Sequence, residues 1–110
     1  MEAVMTKDKA VFDYPNGIPL APVHPGETLA EEMAARRLSS NALALKLRTP
    51  ANRITEIIAG KRGISAETAL RLGRYFGTGA QFWVNLQARY ELAIAEQELG
   101  AIIAREVEAA

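Results

Sequence analysis

Asn52, Arg53, Thr55 and Glu56 lie close together in the stretch TPANRITEIIAG at residues 49 to 60, and each of these side chains has a partner on the edge of a base pair. Asparagine bonds adenine in a bidentate way, arginine does the same to guanine, threonine offers a hydroxyl or a methyl, and glutamate accepts from cytosine. Ala51 opens the same run and is expected to enter a groove with them. Other residues nearby suit phosphate oxygens: Lys46, Arg48 and Thr49 on one side, Lys61 and Arg62 on the other. On polar residues alone, a solvated helix face is an equally good reading. Charge distribution separates the two. Between residues 36 and 62 seven basic residues stand against one acid, Glu56, whereas residues 1 to 35 hold two bases and six acids and residues 63 to 110 hold four and six. The formal net charge is zero, so a positive zone lies between acidic flanks, which suits a polyanionic backbone on one side of the molecule.

Other chemistries find less support. Catalysis needs a nucleophile with its base, a carboxylate pair in a cleft, or a metal site. The chain has a single histidine, His24, and no cysteine, and its acids are spread over faces expected to meet solvent. No enzyme activity, metal or cofactor is expected, and His24 is expected to cap or pack. Lys61 and Arg62 sit in GKRG, which lacks the glycine spacing and the Lys-Ser/Thr ending of a nucleotide-cradling loop. They are expected to grip a DNA backbone, a solvated basic loop being the plainer alternative. Absence of cysteine fits a reducing compartment. The first residues lack the positive-then-apolar plan of a signal peptide, and no apolar run approaches the roughly 20 residues that span a bilayer. The expectation is a soluble, cytoplasmic chain with no membrane contact.

The elements that must position these groups follow from periodicity. Leu43 and Leu47 fall on one side of a first short helix, and Ile54, Ile57 and Ile58 form a stripe on a second, so both face one core. The intervening Arg48-Thr49-Pro50 predicts a restart, with Thr49 as N-cap and Pro50 at the first helical position. With the isoleucines inward, Asn52, Glu56 and Ala59 point outward and Ala51, Arg53 and Thr55 lie on the flanks. A helix over residues 26 to 37 is expected to bury Leu29, Met33, Ala30 and Ala34, with Glu27 in its first turn and Arg36 and Arg37 in its last, as the helix dipole favours. Ser39 and Ser65 read as N-caps. Residues 65 to 76 form a further helix in which Gly73, costing about 1 kcal/mol relative to Ala, marks the close passage of another helix. The next helix opens near Gly79 or Ala80, and Phe82, Trp83, Leu86 and Tyr90 are expected in the core. Residues 1 to 23 contain three prolines and Asn16-Gly17, which predicts a flexible arm. Its apolar residues either fold back on the domain or dock on a partner. Beyond Tyr90, Leu92, Leu99, Ile102 and Ile103 are too apolar for an isolated helix, with Gly100 expected to bend or end it. A second copy of the chain would cover them, and packing back on the same chain is the alternative.

The run over residues 24 to 92 resembles the HigA-type, VapI-like antitoxins of the lambda-repressor-like class of helix-turn-helix domains. Four blocks carry the resemblance: HPGE before the first helix, IxxIIxGKRGIS at residues 54 to 65, TALRLGRYFGT at residues 68 to 78, and FWxNLQxxYEL at residues 82 to 92. It implies an all-α, five-helix domain over residues 24 to 92, with an arm at 1 to 23 and a helical extension at 93 to 110. It also implies a protein that binds an operator as a homodimer, represses its own operon and neutralises a HigB-type toxin, a ribosome-dependent mRNA endonuclease. Phe12, Tyr14, Glu27, Glu31 and Glu32 are the residues expected to meet the toxin. A helix-turn-helix regulator with no toxin partner shares every DNA-binding residue and is the alternative. The sequence departs from the family pattern at two places: Arg48 stands at the turn position usually held by glycine, and Ser40 where the wider class often has a phosphate-binding glutamine, so that the resemblance implies a phosphate contact by Ser40 with a shorter reach. A left-handed Arg48 would carry a strain of about 1–2 kcal/mol.

Overall fold

A computed structural model describes residues 21–110, which form five helices: α1 Pro25–Ala35, α2 Ser40–Leu47, α3 Ala51–Ile58, α4 Ala66–Phe76 and α5 Ala80–Glu106. There is no strand among the described residues. The chain divides into two compact units, one of residues 23–88 and one containing residues 89–110. Phe12 and Tyr14 lie outside the described residues.

In the first unit the core is built from Leu29 and Met33 of α1, Leu43, Ala44 and Leu47 of α2, and Ile54 and Ile57 of α3. Ile64, Ala69, Leu72 and Trp83 complete it. Ile58 and Phe76 pack against this cluster while partly exposed. The apolar spacing therefore did select the inward faces of the two central helices. Four residues depart from expectation: Ala30 and Tyr90 are only half-buried and belong to no part of this cluster, and two others are exposed. Ala34 is exposed, since the α1 stripe is already filled by Leu29 and Met33. Phe82 keeps 39% of its surface exposed because it meets Trp83 edge-on at 5.1 Å from one side and leaves its other face open.

Caps account for most helix boundaries. His24 Nδ1 accepts from the Gly26 amide at 2.9 Å, so the lone histidine is the N-cap of α1. Ser39 accepts from the Ala42 amide and Ser65 from the Thr68 amide, each satisfying an orphan N–H of its helix. The restart before α3 differs from the expected one. Pro50 itself occupies the N-cap position with no side-chain cap bond, and the Thr49 hydroxyl is buried with no hydrogen-bond partner. Thr49 is drawn inward because its amide donates to the Ala44 carbonyl at 3.0 Å. Together with Arg48 N–H donating to Leu45 C=O at 3.3 Å, this closes a Schellman motif. Arg48 is left-handed at φ 58°, which keeps the turn and incurs the strain. The end of α1 repeats the device. Leu38 N–H donates to Met33 C=O, Arg37 N–H donates to Ala34 C=O, and Arg37 takes φ 55°. Arg36 and Arg37 thus lie just past α1 rather than in its last turn.

Two glycines permit close packing. A Cβ on Gly73 would lie 2.3 Å from the Gly79 carbonyl carbon and 2.4 Å from the Ala80 amide nitrogen, so it is the start of α5 that passes close. A Cβ on Gly26 would lie 2.0 Å from the Ile57 carbonyl oxygen, where the first turn of α1 rests on the last turn of α3. Gly26→Ala is expected to push these backbones apart and lower stability by about 1–3 kcal/mol, read as a lowered urea midpoint with unchanged m-value.

Helix α5 runs unbroken through Gly100, so that glycine does not end it. In the unit containing residues 89–110, Ala93 is buried, while Leu92, Leu99, Ile102, Ile103 and Val107 are 40% to 63% exposed.

Candidate nucleic-acid interface

Helix α3 presents its polar residues outward. Asn52 and Thr55 are exposed, Arg53 and Glu56 are half-buried, and Ala51 is partly buried against the core. Each group is available in a different degree. No hydrogen bond or ion pair occupies the side chains of Asn52 and Arg53 among the described residues. The Thr55 hydroxyl donates to the Asn52 carbonyl at 3.0 Å, which leaves its methyl and an oxygen lone pair to face outward. Glu56 is held by Arg62 Nε at 2.8 Å, a pair that fixes the loop after α3 against the helix it follows.

The basic zone is likewise divided by its partners. Arg36 is bound to Glu32 and stacked 4.7 Å over the Phe76 ring, so it serves the fold. Arg62 belongs to Glu56. Lys46, Arg48, Arg53 and Lys61 have no carboxylate partner among the described residues and supply the free positive charge. Ser40 is the first residue of α2 and half-buried. Its hydroxyl lies at the end of that helix where anions are favoured. The buried Thr49 hydroxyl is the candidate least placed to reach a phosphate. Of the acidic residues expected to meet a toxin, Glu27 and Glu31 are exposed and Glu32 is engaged with Arg36.

Two cations outside the 36–62 zone also face this region. Arg71 and Arg74 of α4 line a recess of about 260 Å³ with Lys46, Leu47, Arg48 and Tyr75. Sequence reasoning passed over them because the charge count for residues 63–110 is acidic. Their three-residue spacing on one flank of α4 was the signal available.

No model of a known protein family matches the chain. Individual relatives do. The virulence-associated protein I of Dichelobacter nodosus is 51% identical over 81 residues, covering 73% of this chain and 75% of that protein. The chain belongs to the HigA (VapI-like) family of helix-turn-helix proteins. Solved structures agree with that membership. An addiction module antidote protein of the HigA family from Coxiella burnetii is 47% identical with a TM-score of 0.79, covering 81% of this chain and 98% of that one. The Pseudomonas aeruginosa antitoxin HigA, solved with the higBA promoter, is 47% identical with a TM-score of 0.78, covering 80% and 97%. The expected all-α, five-helix fold is therefore the family's fold, and these two solved relatives are antitoxins, not enzymes. No described helix is long and apolar enough to cross a membrane.

Proposed function

We propose that this HigA-family chain is a sequence-specific DNA-binding antitoxin that represses its own operon as a homodimer and neutralises a HigB-type mRNA endonuclease. The observation that carries the reading is the outward face of α3. Asn52 and Arg53, whose side chains are free to bond base edges, stand on the helix that leads directly into the exposed cations Lys61 and Arg62. Reading and charge neutralisation then fall on connected elements of one unit. Asn52, Arg53 and Thr55 contact bases, with Ala51 and the Arg62-held Glu56 beside them. Lys61, Ser40, Lys46 and Arg48 hold phosphates, and Arg62, whose Nε is bonded to Glu56, joins them through its terminal guanidinium N–H groups. The family relation supports the same reading through the P. aeruginosa relative solved with its promoter.

Dimerisation is assigned to the second unit, where the exposed Leu92, Leu99, Ile102 and Ile103 recur at helical spacing on the last turns of α5. A pair of chains joined there has to present its two α3 helices about 34–36 Å apart to enter successive major grooves. Toxin contact is assigned to Glu27 and Glu31 on α1, whose charge would steer a basic partner, with Phe12 and Tyr14 of the arm. The cytoplasm is the compartment in which operator and ribosome-dependent toxin are both met.

The deciding experiment is to co-express the chain with the product of the adjacent gene. The pair should copurify and protect a stretch of their own promoter. Protection without a copurifying partner assigns the chain to the toxin-free regulators instead. Within the DNA interface, Lys61→Ala is expected to weaken operator and random duplex alike and to lower the slope of log K against log salt by about one unit, measured by fluorescence anisotropy over a salt series.

A further inference from the structure

The recess between the C-terminal end of α2 and α4 contains only cations among its charged lining residues: Lys46, Arg48, Arg71 and Arg74, with Leu47 and Tyr75 as its apolar walls. Arg71 is fixed in place. Its Nη1 donates to the Leu47 carbonyl at 2.9 Å, and its Nη2 lies 3.1 Å from a Glu67 carboxylate oxygen. Lys46, Arg48 and Arg74 have no such partner among the described residues. Arg48 is held left-handed at φ 58°, a conformation that glycine adopts without strain. Arg48 thus places a cation at the edge of the recess in a conformation that costs strain.

We propose that this recess is a second phosphate site, which clamps a phosphodiester of the bound duplex outside the groove occupied by α3. The inference rests on the DNA-binding reading above and adds Arg71, Arg74 and Tyr75 to it. In helix-turn-helix docking the first helix of the pair crosses the sugar-phosphate backbone. That helix is α2, and the recess opens at its C-terminal end. Guanidinium groups bond phosphate oxygens in pairs, and low-dielectric walls around like charges concentrate the positive field. A recess admits a compact oxyanion group, whereas a flat acidic protein face would rest on its rim.

Operator binding by the full chain is to be titrated from 50 to 200 mM salt for wild type, Arg74→Gln, Arg48→Gly and Asn52→Ala. Arg74→Gln should flatten the log K against log salt slope by about one unit with base preference unchanged. Arg48→Gly should act in opposite directions on two readouts. Its melting temperature should rise by several degrees as the left-handed strain is relieved, while its DNA affinity should fall about tenfold, the scale of one charge-assisted hydrogen bond. Asn52→Ala should lower the preference for operator over random duplex and leave the slope intact. A wild-type chain that binds no DNA sinks the general reading together with the clamp. Wild-type binding with an undiminished slope in Arg74→Gln overturns the clamp alone. If that variant keeps its slope but no longer holds a co-expressed acidic protein, the recess belongs to a protein partner and the clamp is again overturned.

Discussion

Trp83→Ala is expected to cost the helical unit of residues 23–88 about 3–5 kcal/mol, the range for deleting a large buried aromatic. Trp83 is fully buried and lies between Phe76 at 5.9 Å and Phe82 at 5.1 Å between ring centroids. Its indole N–H also donates to the Thr78 hydroxyl at 2.9 Å. The two losses are unequal. Thr78 is an exposed residue and can exchange the indole for water, so its bond adds little to the total. The emptied ring volume cannot be refilled in the same way, because Trp83 is fully enclosed in a core cluster whose members are fixed on their own helices. Against total stabilities of about 5–15 kcal/mol for such domains, this loss removes a large share. Trp83→Phe keeps part of the ring volume and should lose clearly less than Trp83→Ala. Urea unfolding followed by far-UV circular dichroism is the proper measurement, since Trp83 is the chain's one tryptophan and its fluorescence vanishes with it. A loss below about 1 kcal/mol in Trp83→Ala would show that α4 and α5 are not held together through this ring.

How much of this could be read before the fold was known depends on which interactions are local. The pairs Leu43 with Leu47 and Ile54 with Ile57 encode inward faces within single helices, so periodicity identified them. Ser39 and Ser65 cap within three residues of themselves and were equally legible. Thr49 was misread for a definite reason. Its type suits an N-cap, but its amide was already committed to the Schellman closure of α2, and that closure turned its hydroxyl inward. Phe82 was assigned to the core by its type, whereas only the crossing of α4 and α5 decides which of two neighbouring aromatic rings is enclosed. On the candidate interface, the sequence identified the outward residues of α3 and the basic zone. It could not tell which cations were free. The Arg36 pair with Glu32 follows helical i, i+4 spacing and could have been read, whereas Arg62 bonds Glu56 across the end of α3 and Arg71 bonds a carbonyl 24 residues away, contacts that exist only once the chain has folded.

Arg53→Ala is expected to weaken operator binding by about 1–3 kcal/mol, or roughly 5- to 150-fold, while relaxing selectivity at a single base pair. The size follows from what the side chain leaves behind: a guanine edge desolvated against α3 with its two acceptors unpaired. The free protein should be little affected. Arg53 has no carboxylate partner among the described residues, its backbone bond to Pro50 C=O survives the substitution, and alanine is at least as good a helix former. A melting temperature within a few degrees of wild type would therefore assign the lost affinity to the interface. The informative quantity is the ratio of operator to random-duplex affinity at one salt concentration. A reader of bases lowers that ratio; a phosphate contact lowers both affinities together and leaves the ratio standing. Since Lys61→Ala is expected to do the second, the two variants measured side by side test whether α3 and the loop after it divide the work of recognition. Equal behaviour of both would transfer Arg53 from the reading set to the backbone set and leave Asn52 as the chief candidate for a base-specific contact.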